Sequence, residues 1–310
     1  MLTRRIALSW LAGSLALAGS LMPAAAQTSE KLKVVATFSI LGDLVRHVGG
    51  ERVDLTTFVG PNGDAHVYSP TPADGRRLTE AKIVFTNGLK FEGWIDRLVK
   101  SSGTKAATIE VSRGLKPLEG EEEHGHNHGH DHGHEGVDPH AWQNIGNAKI
   151  YVANIRDALI AADTAGSAAY EANAADYLAK LEVLEAELKD LVAKIPADRR
   201  KIITSHDAFR YFEDAYGIDF VSPQGVSTEA EASAKDVARI IQQIKREKIS
   251  AVFVENVSDA RLMERIAKET GAKIGERVYS DALSDSNGPA GTYIDMMRHN
   301  IRAFSAALSS

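Results

Sequence analysis

The pattern that most limits this chain's fold is an alternation that occurs twice, on either side of one long helical stripe. In the first half, apolar runs of strand length at 33–38, 53–59, 83–86 and 107–111 are separated by helical patterning. Ile40, Leu41, Leu44, Val45 and Val48 share one helical face and stop at Gly49 and Gly50, and Trp94, Leu98 and Val99 mark a second helix. The second half repeats this arrangement with runs at 201–204, 251–254 and 273–278. Between them Val237, Ile240, Ile241 and Ile244 fall at i, i+3, i+4 and i+7, and Leu262, Ile266 and Ala267 lead to a helix stop at Gly271. Strands alternating with amphipathic helices read as βαβ units around mostly parallel sheets. Two α/β lobes are predicted, at 27–165 and 197–310, and a length of 310 residues fits about two domains.

The stripe joining them is the most regular stretch of the chain. Tyr170, Ala174, Tyr177, Leu178, Leu181, Leu184, Leu188, Leu191, Val192 and Ile195 keep mostly to steps of three and four until Pro196. This predicts one connecting helix within 166–196, about 29 residues and roughly 43 Å long at 1.5 Å per residue. A coiled coil is the alternative, but α/β patterning on both flanks favours packing across both lobes. A continuous helix of that kind would limit hinge closure.

Residues 1–26 read as a cleaved secretory signal peptide: Arg4 and Arg5, an apolar run at 6–18, then Ala24, Ala25 and Ala26 before Gln27. The apolar run is too short and too broken by Gly13, Ser14, Gly19 and Ser20 for a membrane anchor. No cysteine occurs in the chain, so a disulfide framework, a thiolate metal site, a cysteine nucleophile and a lipid-modified cysteine are all excluded. The expectation is a soluble monomer in the periplasm, whose metals, if any, are held by nitrogen and oxygen. With 36 Lys and Arg against 42 Asp and Glu, a formal charge of −6, no nucleic-acid partner is implied.

The 11 histidines divide by context. His124, His126, His128, His130, His132 and His134 are separated by single residues rich in glycine, within 119–136. That composition builds no packed core and predicts a solvated, mobile loop whose neutral imidazoles capture borderline metals weakly. His47 and His299 fall among charged neighbours on amphipathic helices and read as surface residues. His66 follows the strand ending at Val59, His140 lies in Asp138-Pro139-His140-Ala141-Trp142 ahead of a helix, His206 follows the run 201–204, and Asp281 follows Val278-Tyr279-Ser280. Ligands of open parallel sheets collect beyond the carboxyl ends of strands, so two residues from each half can converge there. Taken singly, each loop histidine reads as readily as a hydrogen-bonded surface group.

The segments GDAHVYSP, DPHAW, TSHDAF and VYSDAL, in that order over two α/β halves joined by a long helix, resemble the zinc- and manganese-binding solute-binding proteins of ABC transporters. The resemblance covers essentially the whole mature chain. The family writes the first motif Asp-Pro-His; here Ala65 replaces the proline and the histidine stays. The resemblance implies a ligand set of His66, His140, His206 and Asp281, and the His-rich insertion lies where zinc-specific members carry theirs. Manganese members usually have glutamate in the third position, where this chain has His206. Three imidazoles and one carboxylate suit tetrahedral Zn2+, whereas an oxygen-rich shell suits Mn2+, which remains the alternative.

Ligating histidines need their second ring nitrogen held, and Glu255, Asp64, Asp138 and Asp207 are candidates, with Glu255 the first choice. Asp64, Asp138 and Asp207 serve equally well as turn or capping residues. The function so implied is a periplasmic carrier, not an enzyme, that delivers Zn2+ to an ABC permease in the inner membrane powered by an ATPase. A zinc metallochaperone or buffer would need the same site, and a metallochaperone could also be a loading partner. A zinc hydrolase would need an open coordination position, which Asp281 would fill, and a general base such as that of H-E-x-x-H, a motif absent from the chain.

Overall fold

The computed structural model describes residues 30–118 and 136–309. Residues 1–26, expected to be a signal peptide, and the six closely spaced histidines, His124 to His134, lie outside the described residues. Two parallel sheets and a long helix between them make the fold, as the patterning predicts, and each sheet has four strands where the second half's pattern shows three.

The first sheet contains β1 (Leu32–Phe38), β2 (Val53–Val59), β3 (Ile83–Thr86) and β4 (Ala107–Glu110), in the order β2-β1-β3-β4. β1 is central. Its run from Val34 to Phe38 is buried, as a strand covered by helices on both faces requires. The helices of this half are α1 (Ser39–Gly49), α2 (Pro72–Glu80), α3 (Ile95–Ser102) and α4 (Ile145–Ala162). The apolar stripe does not signal α2, because its only buried apolar side chain is Leu78. Its signal is at the start, where Thr71 accepts from the Asp74 N–H, Asp74 accepts in return, and Pro72 takes the first turn.

α5 (Ser167–Ala193) is the connecting helix, 27 residues long, two fewer than the stripe predicts because Lys194 and Ile195 close it in a tighter turn before Pro196. Tyr170, Ala174, Tyr177, Leu181, Leu184, Leu188 and Val192 are all buried. They pack on α1 and α4 of the first half and on α9 (Tyr293–Leu308) of the second. Glu187 of α5 also pairs with Arg298 and Arg302 of α9, at 2.8 and 2.9 Å.

The second sheet contains β5 (Lys201–Ile203), β6 (Asp219–Val221), β7 (Ala251–Val252) and β8 (Lys273–Ile274), in the order β6-β5-β7-β8, the same relative order as the first. Around it lie α6 (Arg210–Tyr216), α7 (Ala234–Glu247), α8 (Ala260–Thr270) and α9. The run at 273–278 is not one strand. β8 ends at Ile274, the backbone leaves the ladder near Gly275, and Val278 rejoins through a single parallel bridge to Glu255. β6 gives no sequence signal because its three residues are all half-buried and show no alternation. One hydrophobic cluster runs from Val34 to Leu308 through both halves, and a smaller one lies beneath α7 and α8. Residues 31–310 accordingly form one compact unit.

Candidate metal centre

Each of the four sequence-selected residues follows a strand or opens a helical turn, and the fold brings all four together. His66 lies in the loop after β2, its position set by Trp94, whose indole N–H donates to the Ala65 carbonyl at 2.8 Å. Ala65 is fully buried, so the residue replacing the family's proline is packed rather than loose. The His66 backbone N–H donates to Asp64 Oδ1 at 2.9 Å, and Asp64 Oδ2 accepts from Thr228 of the second half at 2.6 Å. The edge of Phe91 packs against the His66 ring, 4.6 Å between centroids.

His140 sits in Asp138-Pro139-His140 just before the short 3-10 turn Ala141–Gln143. Asp138 Oδ1 accepts from the His140 backbone N–H at 2.9 Å and meets its Nδ1 at 2.8 Å. That contact places the Nδ1 proton toward Asp138 and turns Nε2 inward. His206 follows β5. Its N–H donates to Glu255 Oε1 at 2.9 Å, while its Nδ1 lies 2.5 Å from Glu255 Oε2. Glu255 thus holds His206 by the backbone hydrogen bond and by an ion-pair contact at Nδ1, whereas Asp138 meets the His140 ring in a hydrogen bond. Asp64 does not serve in this way, since its carboxylate caps the turn at His66 and accepts from Thr228; the Asp207 N–H bonds the Gly225 carbonyl.

The inward atoms converge tightly. His66 Nε2 lies 3.3 Å from His140 Nε2 and 3.4 Å from Asp281 Oδ2. His140 Nε2 lies 3.5 Å from Asp281 Oδ1, and His206 Nε2 lies 3.1 Å from Asp281 Oδ2. One ligand atom from each of the four residues falls within 4.8 Å of the others. Donors about 2.0–2.1 Å from one ion at tetrahedral angles stand about 3.4 Å apart, close to these four separations, which involve both oxygens of Asp281. His140, His206 and Asp281 are fully buried and His66 is 7% exposed.

Among the described residues, neither oxygen of Asp281, neither ring nitrogen of His206 and not Glu255 Oε2 has a hydrogen-bond partner of acceptable geometry. A buried carboxylate without donors is costly unless a cation meets it. Without an ion, that cation is an imidazolium. Burial works against a charged His140, but Asp281 and Asp138 outweigh it and push the ring up to about 9. Burial likewise opposes charge on His206, and Glu255 and Asp281 carry it well above the ordinary histidine value. Burial would raise Asp281, yet His206 and His140 hold it well below the usual carboxylate range.

His47 and His299 stay away from this cluster, half-buried on α1 and α9. His47 Nδ1 is 2.9 Å from the Asp43 carbonyl, and His299 Nε2 is 2.8 Å from the Arg277 carbonyl. A supporting network escapes sequence reading. Glu92, buried and raised to about 7 by that burial, accepts from Thr37 Oγ1 and from the Asn87 N–H at 2.5 and 2.7 Å. Asn87 in turn donates to the Pro139 carbonyl at 2.9 Å and accepts from Tyr151, steadying the turn that carries His140. Only a polar residue amid apolar neighbours, Glu92 between Phe91 and Trp94, hints at it.

Glu255→Gln keeps the size of the side chain and removes its charge. Metal affinity should fall about 10–100-fold, as for other residues that orient a ligand. A chelator-competition titration checks this, and affinity equal to wild type would deny Glu255 that role.

The family described as "ZnuA: Zinc-uptake complex component A periplasmic" matches residues 34–307. The manganese-binding lipoprotein MntA of Halalkalibacterium halodurans is 36% identical over 283 residues, 91% of this chain and 90% of the relative. The iron ABC transporter substrate-binding lipoprotein MtsA of Streptococcus pyogenes serotype M1 is 35% identical over 289 residues, again 91% and 90%. Among solved structures, the periplasmic zinc binding protein TroA from Treponema pallidum matches with a TM-score of 0.83 at 28% identity, covering 91% of this chain and 100% of that one. The Mn-bound periplasmic metal binding protein from Candidatus Liberibacter asiaticus matches with a TM-score of 0.79 at 29% identity, covering 90% and 100%.

Proposed function

Because this chain belongs to the ZnuA family, the metal-binding substrate-binding proteins of ABC transporters, we propose that His66, His140, His206 and Asp281 hold one divalent transition-metal ion for handover to a permease, with Zn2+ the ion held most tightly. Family members are solute-binding proteins that work with a permease and an ATPase, and they are not enzymes. The observation that carries the reading is the buried quartet itself, three ring nitrogens around a carboxylate that has no hydrogen-bond donor of acceptable geometry among the described residues.

Three nitrogens and one carboxylate favour zinc, which also stands above manganese in the general affinity order. Manganese is the second reading, and the relatives named above favour it: one is called manganese-binding, one iron, and one matching structure is Mn-bound. The two readings answer different questions. Tightest ion follows donor chemistry, whereas the transported ion also depends on metal availability. A buffer or metallochaperone role would use the same quartet, and the family assignment supports import over it.

The relatives are named lipoproteins. This chain has no cysteine to carry a lipid, which supports a soluble periplasmic form released from the signal segment 1–26. The partition 27–165, 166–196 and 197–310 stands on the same footing. His124, His126, His128, His130, His132 and His134 supply weaker sites that collect the ion.

Titration of the metal-stripped chain with Zn2+ and Mn2+ against a chelator tests the proposal. One tight Zn2+ per chain is expected, surviving deletion of residues 121–134, with Mn2+ displaced from an equimolar mixture. Tighter Mn2+ would overturn the zinc reading, and the absence of any tight site would overturn both. A strain lacking the gene, rescued by Zn2+ or by Mn2+, then names the cargo.

A further inference from the structure

The turn that carries His140 and the segment after the Val278 bridge that carries Asp281 are bolted together by a single carbonyl. The Ser280 carbonyl, one residue before Asp281, accepts from the Trp142 indole N–H and from Gln143 Nε2, both at 2.9 Å. These partners lie 138 and 137 positions apart in the chain and belong to opposite halves. Trp142, Gln143 and Ser280 are all fully buried. A carbonyl can only accept, so the amide of Gln143 must present its nitrogen to Ser280. Gln143 is also coupled to His140 directly, because its backbone N–H donates to the His140 carbonyl at 3.1 Å within one 3-10 turn. A shift of Ser280 is therefore passed to His140 through two hydrogen bonds and one rigid turn.

The two donors differ in what else they do. Trp142 fills the core, its ring 5.1 Å from Phe38 and 4.9 Å from Phe91 between centroids, and its carbonyl accepts from the Tyr293 hydroxyl at 2.6 Å. Its loss would unpack the fold. Gln143 brings a liability instead: its Oε1 is buried without a hydrogen-bond partner among the described residues. Such an orphaned acceptor is a cost to the fold, and an apolar side chain of the same shape removes it. The Ser280 carbonyl would keep Trp142 as a donor. A residue that costs the fold and still grips the neighbour of a ligand breaks the rule of satisfied buried polar groups, and such breaches concentrate at functional sites.

We propose that Gln143 is a positioning residue that fixes Asp281 against His140, acting through the Ser280 carbonyl. This rests on the reading of the quartet as a metal site. Gln143 touches no ion itself. It sets the separation of a nitrogen donor and the oxygen donor that come from different halves, and so the rate at which the shell opens.

Gln143→Met, near in size and without a donor, tests it, with Gln143→Leu as a second variant should methionine fail to pack. Three readouts are needed: Tm of the metal-stripped chain, Zn2+ affinity, and the rate of Zn2+ loss to excess chelator. Metal-stripped Tm equal to wild type or higher is expected, with affinity lowered about 10–100-fold and Zn2+ lost correspondingly faster. Affinity and loss rate equal to wild type would overturn the proposal, as would a fall in affinity accompanied by an equally marked fall in metal-stripped Tm. The side-chain N–H signals of Gln143 in the metal-stripped wild-type chain separate this idea from the site assignment. One slowly exchanging N–H is expected whether or not the chain takes up zinc, and rapid exchange of both would remove the bolt.

Discussion

His140→Ala should weaken Zn2+ binding by about two orders of magnitude or more while the chain stays folded. Structural zinc sites bind with about 10–16 kcal/mol at neutral pH, so each of four donors accounts for about 3 kcal/mol, and every 1.4 kcal/mol is tenfold. The fold should survive because the contacts that shape the loop are mostly main-chain. Asp138 Oδ1 keeps the residue-140 N–H, Asn87 keeps the Pro139 carbonyl, and Tyr211 keeps the Asp138 carbonyl. The metal-stripped variant should melt lower than wild type, since it loses a buried ring paired with Asp281 and Asp138. Chelator competition measures the affinity and far-ultraviolet circular dichroism measures the fold. Undiminished affinity in a folded variant would remove His140 from the site.

Raising the pH should strengthen metal binding and, in the same range, weaken the metal-free fold. Metal needs neutral imidazoles, whereas His140 without metal is pushed up to about 9 and His206 well above the ordinary histidine value of 6.5. At neutral pH, Zn2+ must displace protons from both rings. Each displaced proton is worth up to about tenfold in affinity per pH unit, so the pair gives up to about 100-fold per unit.

For the metal-free chain the sign is opposite. A histidine whose folded value is raised contributes stability that is fully present below about 6.5 and lost as pH rises through the folded value, here about 9 for His140. Asp281, held low, contributes above the ordinary carboxylate value and loses that contribution only in acid. Thermal melts with and without Zn2+ across this range should therefore diverge as pH rises, the metal-free Tm falling and the increment due to zinc growing. Calorimetry in buffers of different ionisation enthalpy should show about two protons released per ion near neutral pH. An affinity flat between about pH 6.5 and 9 would contradict the assignment of His140 and His206 as paired imidazoliums.

What the sequence makes legible here follows how local each signal is. β1 and β3 announce themselves as continuous apolar runs because both their faces are buried, and α5 as a stripe of Leu181, Leu184 and Leu188 kept over many turns because burial of one helix face repeats with a fixed period. His66, His206 and Asp281 are visible through their place after strands. Glu255 is visible for the same reason, a lone carboxylate ending the run Ala251 to Val254.

Asp138 stands undecided between turn former and ring holder until the structure shows one oxygen meeting both the His140 N–H and Nδ1. Gln143, Tyr211 and Tyr216 are invisible because their partners are main-chain groups far along the chain: the Ser280 carbonyl, the Leu118 N–H and the Ile145 N–H. Main-chain groups are the same at every residue, so no residue type marks the receiving end. The run at 273–278 misleads for a related reason, since composition does not tell that Val278 pairs with Glu255 after a break near Gly275.

Diffraction from zinc-loaded crystals, recorded on both sides of the zinc absorption edge, tests most directly that one ion is enclosed by side chains from both halves. A single strong anomalous peak among the described residues is predicted, about 2.0–2.2 Å from ring nitrogens of His66, His140 and His206 and from an oxygen of Asp281. A peak away from this quartet, or a water molecule bound to the ion where the carboxylate should be, would contradict it.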